Sequence, residues 1–118
     1  MAKGIIVDDS KFMRRIIKDV LEEGGHEVLG EAENGAEGLD AFKKFRPDFV
    51  TMDITMMGKD GIEAVAEIKA VDPNAKIVVI SALSQTTLKL SDSKIQATAF
   101  LTKPFEKEEL LKILKDIL

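Results

Sequence analysis

The sequence predicts an α/β fold: a doubly wound parallel sheet with helices on both faces. Three observations carry that reading. Short β-branched runs alternate with helical patterns from end to end, and five strand–helix units in strict alternation require parallel strands joined by crossover helices. Crossovers of this kind are right-handed, which leaves few arrangements. The 118 residues, 45 % hydrophobic and 32 % charged, suit one domain over 1–118 with its own core.

The first strand is Gly4-Ile5-Ile6-Val7, ending in Asp8-Asp9. Ser10 has the chemistry of a helix N-cap. Met13, Ile16, Ile17, Val20 and Leu21 follow at helical spacing, with Lys11, Arg14, Arg15, Lys18 and Glu22 on the other sides, until Gly24-Gly25 stops the helix. A weaker strand covers 27–32. Asn34-Gly35 opens a second helix with Leu39, Phe42 and Phe45 inside, and Pro47 ends it. Phe49-Val50-Thr51-Met52 is a third strand running into Asp53. Ile62, Val65 and Ile68 mark a third helix, and Asp72-Pro73-Asn74 a turn. The run 76–80 is the clearest buried strand and ends at Ser81. A poorly patterned segment, 83–96, is expected to be the fourth helix. Ala99-Phe100-Leu101-Thr102 is a short last strand ending at Lys103-Pro104, and the final helix spans about Glu106 to Leu118.

Composition excludes several function classes. With no cysteine there is no disulfide, cysteine–zinc site or iron–sulfur cluster, and the one histidine, His26, excludes sites that need two. A net charge of −4 with no Trp or Tyr argues against nucleic acid as a partner. No apolar run approaches the ~18 residues of a membrane span, and the first residues lack the apolar stretch of a secretion signal. The expectation is a cytoplasmic monomer. His26 is read as a solvent-exposed loop residue, and Phe42, Phe45 and Phe49 as core. Gly30, Gly35 and Gly38 spell no nucleotide loop.

Parallel sheets carry their sites at the carboxyl ends of their strands. Here those ends hold Asp8-Asp9, Asp53, Ser81 and Lys103. Two carboxylates about 4 Å apart repel by about 4 kcal/mol at an effective dielectric near 20, so three together need a cation. Oxygen ligands without His or Cys select a hard ion such as Mg²⁺, which keeps waters and has room for a phosphoryl oxygen. A protonated lysine can neutralise phosphate, a serine hydroxyl can donate to it, and a carboxylate can act as the nucleophile in phosphoryl transfer. Together these residues suit the phosphorylation of an aspartate with Mg²⁺.

The stretches IIVDDSKFMRR at 5–15, DFVTMDITM with Asp60-Gly61 at 48–61, VVISA at 78–82 and FLTKPF at 100–105 resemble the receiver domain of two-component response regulators, in particular the stand-alone CheY-like chemotaxis proteins. The resemblance covers nearly the whole chain. It implies a flavodoxin-like sheet of order 2-1-3-4-5. It implies Asp53 as phosphoacceptor, and Asp8 and Asp9 as organisers of the Mg²⁺ with the carbonyl of Thr55. It further implies Lys103 as the phosphoryl contact, Ser81 and Phe100 as switch residues, and a cis Lys103–Pro104 bond. The implied partners are a histidine kinase as donor, and a flagellar motor switch protein or another phosphotransfer protein as recipient. Signalling would run through the 83–105 face.

Two positions depart from the family pattern: Met57 stands where proline is common, and Gln96 where a glycine usually ends the fourth helix. The Ser- and Thr-rich 83–98 region is therefore expected to be the least regular part of the domain. Two other readings fit the same residues. One is a phosphohydrolase with Asp53 as nucleophile, similar to haloacid-dehalogenase phosphatases, although Thr55 replaces their second aspartate and no cap domain fits the length. The other is an interaction module of receiver fold that works without phosphorylation.

Overall fold

The computed structural model describes residues 2–54, 61–81 and 97–118. One sheet contains β1 (Lys3–Val7), β2 (Glu27–Ala32), β3 (Phe49–Asp53), β4 (Ile77–Ser81) and β5 (Ala99–Thr102). All neighbouring strands are parallel, in the order β2-β1-β3-β4-β5. This is the order the family resemblance implies. Four helices are described: α1 (Lys11–Glu23), α2 (Gly35–Phe45), α3 (Gly61–Val71) and α4 (Lys107–Ile117). The helix expected over 83–96, with Gln96, lies outside the described residues, as do Thr55 and Met57.

Side chains alternate across a strand, so each central strand feeds two cores. Ile5, Val7, Val50, Met52, Ile77 and Val79 pack on one face with Phe42 of α2 and Val65 and Ile68 of α3. Ile6, Phe49, Val78 and Ile80 pack on the other with Ile17 and Leu21 of α1 and Leu110 and Leu114 of α4. A sheet covered on both faces has no solvent side, which is why these strands read as continuous apolar runs. The edge strands β2 and β5 carry the partly exposed residues.

Local signals set the helix ends. The Ser10 hydroxyl accepts the Met13 amide at 3.2 Å. Asn34 accepts the Glu37 amide at 2.9 Å, while the Glu37 carboxylate accepts the amide of Glu33 at 3.0 Å. These bonds satisfy donors that the first helical turn leaves open. Helix α2 ends with Arg46 in the left-handed region, at φ 46°, its amide donating to the Phe42 carbonyl at 2.9 Å. The following Pro47 disfavours a right-handed helical conformation at Arg46, so the proline acts one residue before its own position.

Three expectations need correction. Arg14, assigned to the outer side of the first helix, is 8 % exposed and lies in the buried stripe with Ile17, Val20 and Leu21. His26 is half-buried: its Nδ1 accepts the Ala2 amide at 3.2 Å and its ring meets Phe49 edge-on at 5.6 Å. Phe45 is 36 % exposed, because it lies over Gly30 on the edge strand β2 rather than inside the core.

Candidate functional site

Four strands, β1, β3, β4 and β5, deliver the site residues to one edge of the sheet. Asp8 follows the last residue of β1, and its amide donates to the Ala32 carbonyl of β2 at 3.0 Å. Asp53 is the last residue of β3 and pairs in register with Ile80 of β4. Ser81 ends β4 opposite Thr102 of β5, and its carbonyl accepts the Lys103 amide at 2.7 Å. That bond extends the ladder one residue past β5 and brings the lysine to the edge. The Lys103–Pro104 peptide bond is cis.

Each of Asp8, Asp9 and Asp53 offers a carboxylate oxygen lying within 4.8 Å of the others. Asp8 and Asp53 are buried, at 1 % and 4 % exposure, while Asp9 is exposed. The Lys103 ammonium stands 3.2 Å from Asp53 Oδ2 and 3.4 Å from Asp8 Oδ2. Ser10 donates its amide to Asp8 Oδ1 at 2.8 Å. Burial raises the Asp8 pKa above the ordinary aspartate value, and the charge of Asp53 pushes the same way. The Ser10 amide and Lys103 oppose them without cancelling the rise. A carboxylate buried beside a second one resists ionisation, and for Asp8 the nearby ammonium does not offset this.

This donor set fits a hard divalent cation. It is made of carboxylate oxygens alone, and the exposed Asp9 leaves one side open to water. Asp8, Asp9, Asp53 and Lys103 therefore gather as the sequence suggests. Ser81 is buried at the same edge, and Phe100 is a half-buried β5 residue packed against the α2–α3 core and paired in register with Val79. Thr55 lies outside the described residues.

Sequence reasoning missed Arg14. Its Nη1 donates to the Asp8 carbonyl at 2.6 Å, its Nε to Glu31 Oε1 at 3.1 Å, and its Nη2 lies 3.8 Å from Glu33 Oε1. The available signal was spacing, since Arg14 stands three residues before Ile17 on the same helical stripe.

Comparisons with known proteins agree with this geometry. The family model of the response regulator receiver domain matches residues 5–115. The chemotaxis protein CheY of Thermotoga maritima is 44 % identical over 113 residues, covering 96 % of this chain and 94 % of that protein. Among solved structures, the response regulator protein TrrA of Thermotoga maritima in complex with Mg²⁺–BeF superposes with a TM-score of 0.88 at 35 % identity, covering all of both chains. A CheX–CheY–BeF₃–Mg²⁺ complex from Borrelia burgdorferi gives a TM-score of 0.89 at 30 % identity, covering 98 % of this chain and 87 % of that one.

Proposed function

The chain belongs to the response regulator receiver domains, and from that premise we propose that it is a cytoplasmic signalling switch that accepts a phosphoryl group on Asp53. It is homologous to the CheY chemotaxis proteins, which supports chemotaxis as its setting. The donor in this reading is the phosphohistidine of a histidine kinase. The recipient of the signal is a protein partner, either a flagellar motor switch protein or another phosphotransfer protein. The observation that carries the reading is Lys103 Nζ within 3.4 Å of two of three clustered carboxylates.

The roles follow from position and charge. A carboxylate oxygen of Asp53 attacks phosphorus, an O–P bond forms, the P–N bond to the donor imidazole breaks, and the imidazole keeps the electron pair and takes up a proton. Asp8, Asp9 and Asp53 would hold Mg²⁺, with the Thr55 carbonyl as a further ligand. Bound there, the ion neutralises charge on the phosphoryl oxygens. Lys103 sits beside the nucleophile and can move from carboxylate to phosphoryl oxygen as negative charge is transferred. The Ser81 hydroxyl, on the neighbouring strand, can donate to the phosphoryl group. Phe100, two strand positions before Thr102, repacks as the 83–105 face changes its partner affinity. That is a two-state equilibrium biased by local charge.

Acetyl phosphate with Mg²⁺ tests this directly. Intact-mass spectrometry is expected to show one added phosphoryl group, lost in Asp53→Asn and in EDTA. Labelling that survives either change would remove Asp53, or the metal, from the reading.

A further inference from the structure

We infer that Arg14 is a positioning residue for the acidic pocket, aiming the Asp9 carboxylate by holding the Asp8–Asp9 peptide. The inference rests on the reading of that pocket as a cation site. A guanidinium in a buried helical stripe requires partners for its donors; here Nη1 and Nε donate to acceptors at 2.6 and 3.1 Å, and Nη2 faces the Glu33 carboxylate at ion-pair distance, 3.8 Å. The shortest contact, 2.6 Å, goes to the Asp8 carbonyl, a backbone atom rather than an acid. A peptide unit is planar, so fixing the Asp8 carbonyl also fixes the direction of the Asp9 amide and the departure of its Cα.

The geometry makes this contact matter more for Asp9 than for Asp8. Asp8 is anchored on other atoms: its amide by Ala32, and its side chain by Ser10 and Lys103. Asp9 is exposed, so packing does not set its side chain. Its approach to Asp8 and Asp53 depends on the backbone that carries it. Glu31 in β2 accepts from Nε at 3.1 Å, and Glu33, just past the strand, lies 3.8 Å from Nη2 as a looser ion pair, so the arginine is held from the β2 side as well. The chain of contacts runs from Glu31 through Arg14 and the Asp8 carbonyl to Asp9. Partners behind metal ligands typically influence affinity 10–100-fold.

Charge alone predicts the opposite sign. Removing a cation from beside a divalent-ion site strengthens ion binding, whereas removing a positioning contact weakens it. Isothermal titration with Mg²⁺ on the parent, Arg14→Met and Arg14→Lys decides between them. Amide NMR spectra report on the fold and on the Asp9 resonance. Arg14→Met is expected to raise the Mg²⁺ Kd about tenfold while keeping a native spectrum except around residues 8–10. Arg14→Lys, which keeps the charge and one donor, is expected to fall between Arg14→Met and the parent.

An Arg14→Met Kd equal to or tighter than the parent's would overturn the inference. If Arg14→Met does not fold, an Arg14→Lys protein with the parent's affinity overturns it equally. A parent that binds no Mg²⁺ would instead sink the reading of the pocket itself.

Discussion

The Lys103 ammonium lies 3.2 Å from the Asp53 carboxylate, across fifty residues of sequence, and 3.4 Å from Asp8. One side chain thus serves two buried acids. Its removal has a structural effect that is separable from any effect on chemistry. In metal-free buffer Lys103→Met is expected to lower stability by about 1–3 kcal/mol. That is less than the ~3–5 kcal/mol of a fully buried pair, because the lysine side chain is 20 % exposed. Mg²⁺ should then raise the melting temperature more in the variant than in the parent, since the ion no longer competes with the ammonium. Urea and thermal unfolding with Mg²⁺ or EDTA measure both, and equal Mg²⁺ shifts would show that the lysine does not neutralise the pocket.

Asp9 offers the complementary case. It is the exposed member of the cluster, so Asp9→Asn removes repulsion without leaving a buried group unpaired. The metal-free variant should be as stable as the parent or more so. The parent should gain about 2.7 kcal/mol at ~100 times its Mg²⁺ Kd, and the variant should lose most of that gain. A variant whose melting temperature follows Mg²⁺ as the parent's does would rule out Asp9 as a ligand.

His26 predicts a pH dependence remote from the site. Burial first, and then the positive amino terminus, hold its pKa below the ordinary 6.5. As pH falls through 6.5 the unfolded chain takes up a proton that the folded chain refuses, so stability falls. The loss levels off below the folded-state value, where both states are protonated. Protonating Nδ1 would also turn the acceptor of the Ala2 amide into a donor. Urea unfolding between pH 8 and 5 should show this slope in the parent and a shallower one in His26→Gln. Parallel curves for the two would mean that His26 titrates normally.

Thr51, in the middle of β3, is 1 % exposed, and its Oγ1 has no hydrogen-bond partner among the described residues. A buried, unsatisfied hydroxyl costs on the order of 1–3 kcal/mol, and valine has the same shape without it. Thr51→Val should therefore stabilise the protein by about 1 kcal/mol in urea unfolding, with an unchanged m-value. A destabilised variant would reveal a partner for the hydroxyl.

The central strands were legible because parallel strands buried on both faces read as near-continuous apolar runs, as 4–7, 77–80 and, apart from Thr51, 49–52 do. The gathering of Asp8, Asp53 and Lys103 was legible because each ends a strand or directly follows one. The sheet order rested on family resemblance, since alternation alone allows several. Arg14 and His26 were misread for one reason: both were placed by residue type, and both are buried by specific partners. Arginine buries its stem and satisfies its fork wherever acceptors converge, here on the Asp8 carbonyl and Glu31. Those acceptors come from the turn after β1 and from β2, and no pattern within the helix announces them.

The spread of the pocket along the chain has a consequence during synthesis. All three aspartates are made before Lys103, with fifty residues between Asp53 and the lysine. At about 5–20 residues per second the ribosome takes roughly 3–10 s to cover that interval. Through it, a growing chain that paired β1 with β3 would crowd three carboxylates with no ammonium to offset them. Repulsion discourages closure of that edge until β5 arrives with its counter-charge. Unless a divalent cation fills the pocket first, the acidity that later serves the site therefore works against its early closure.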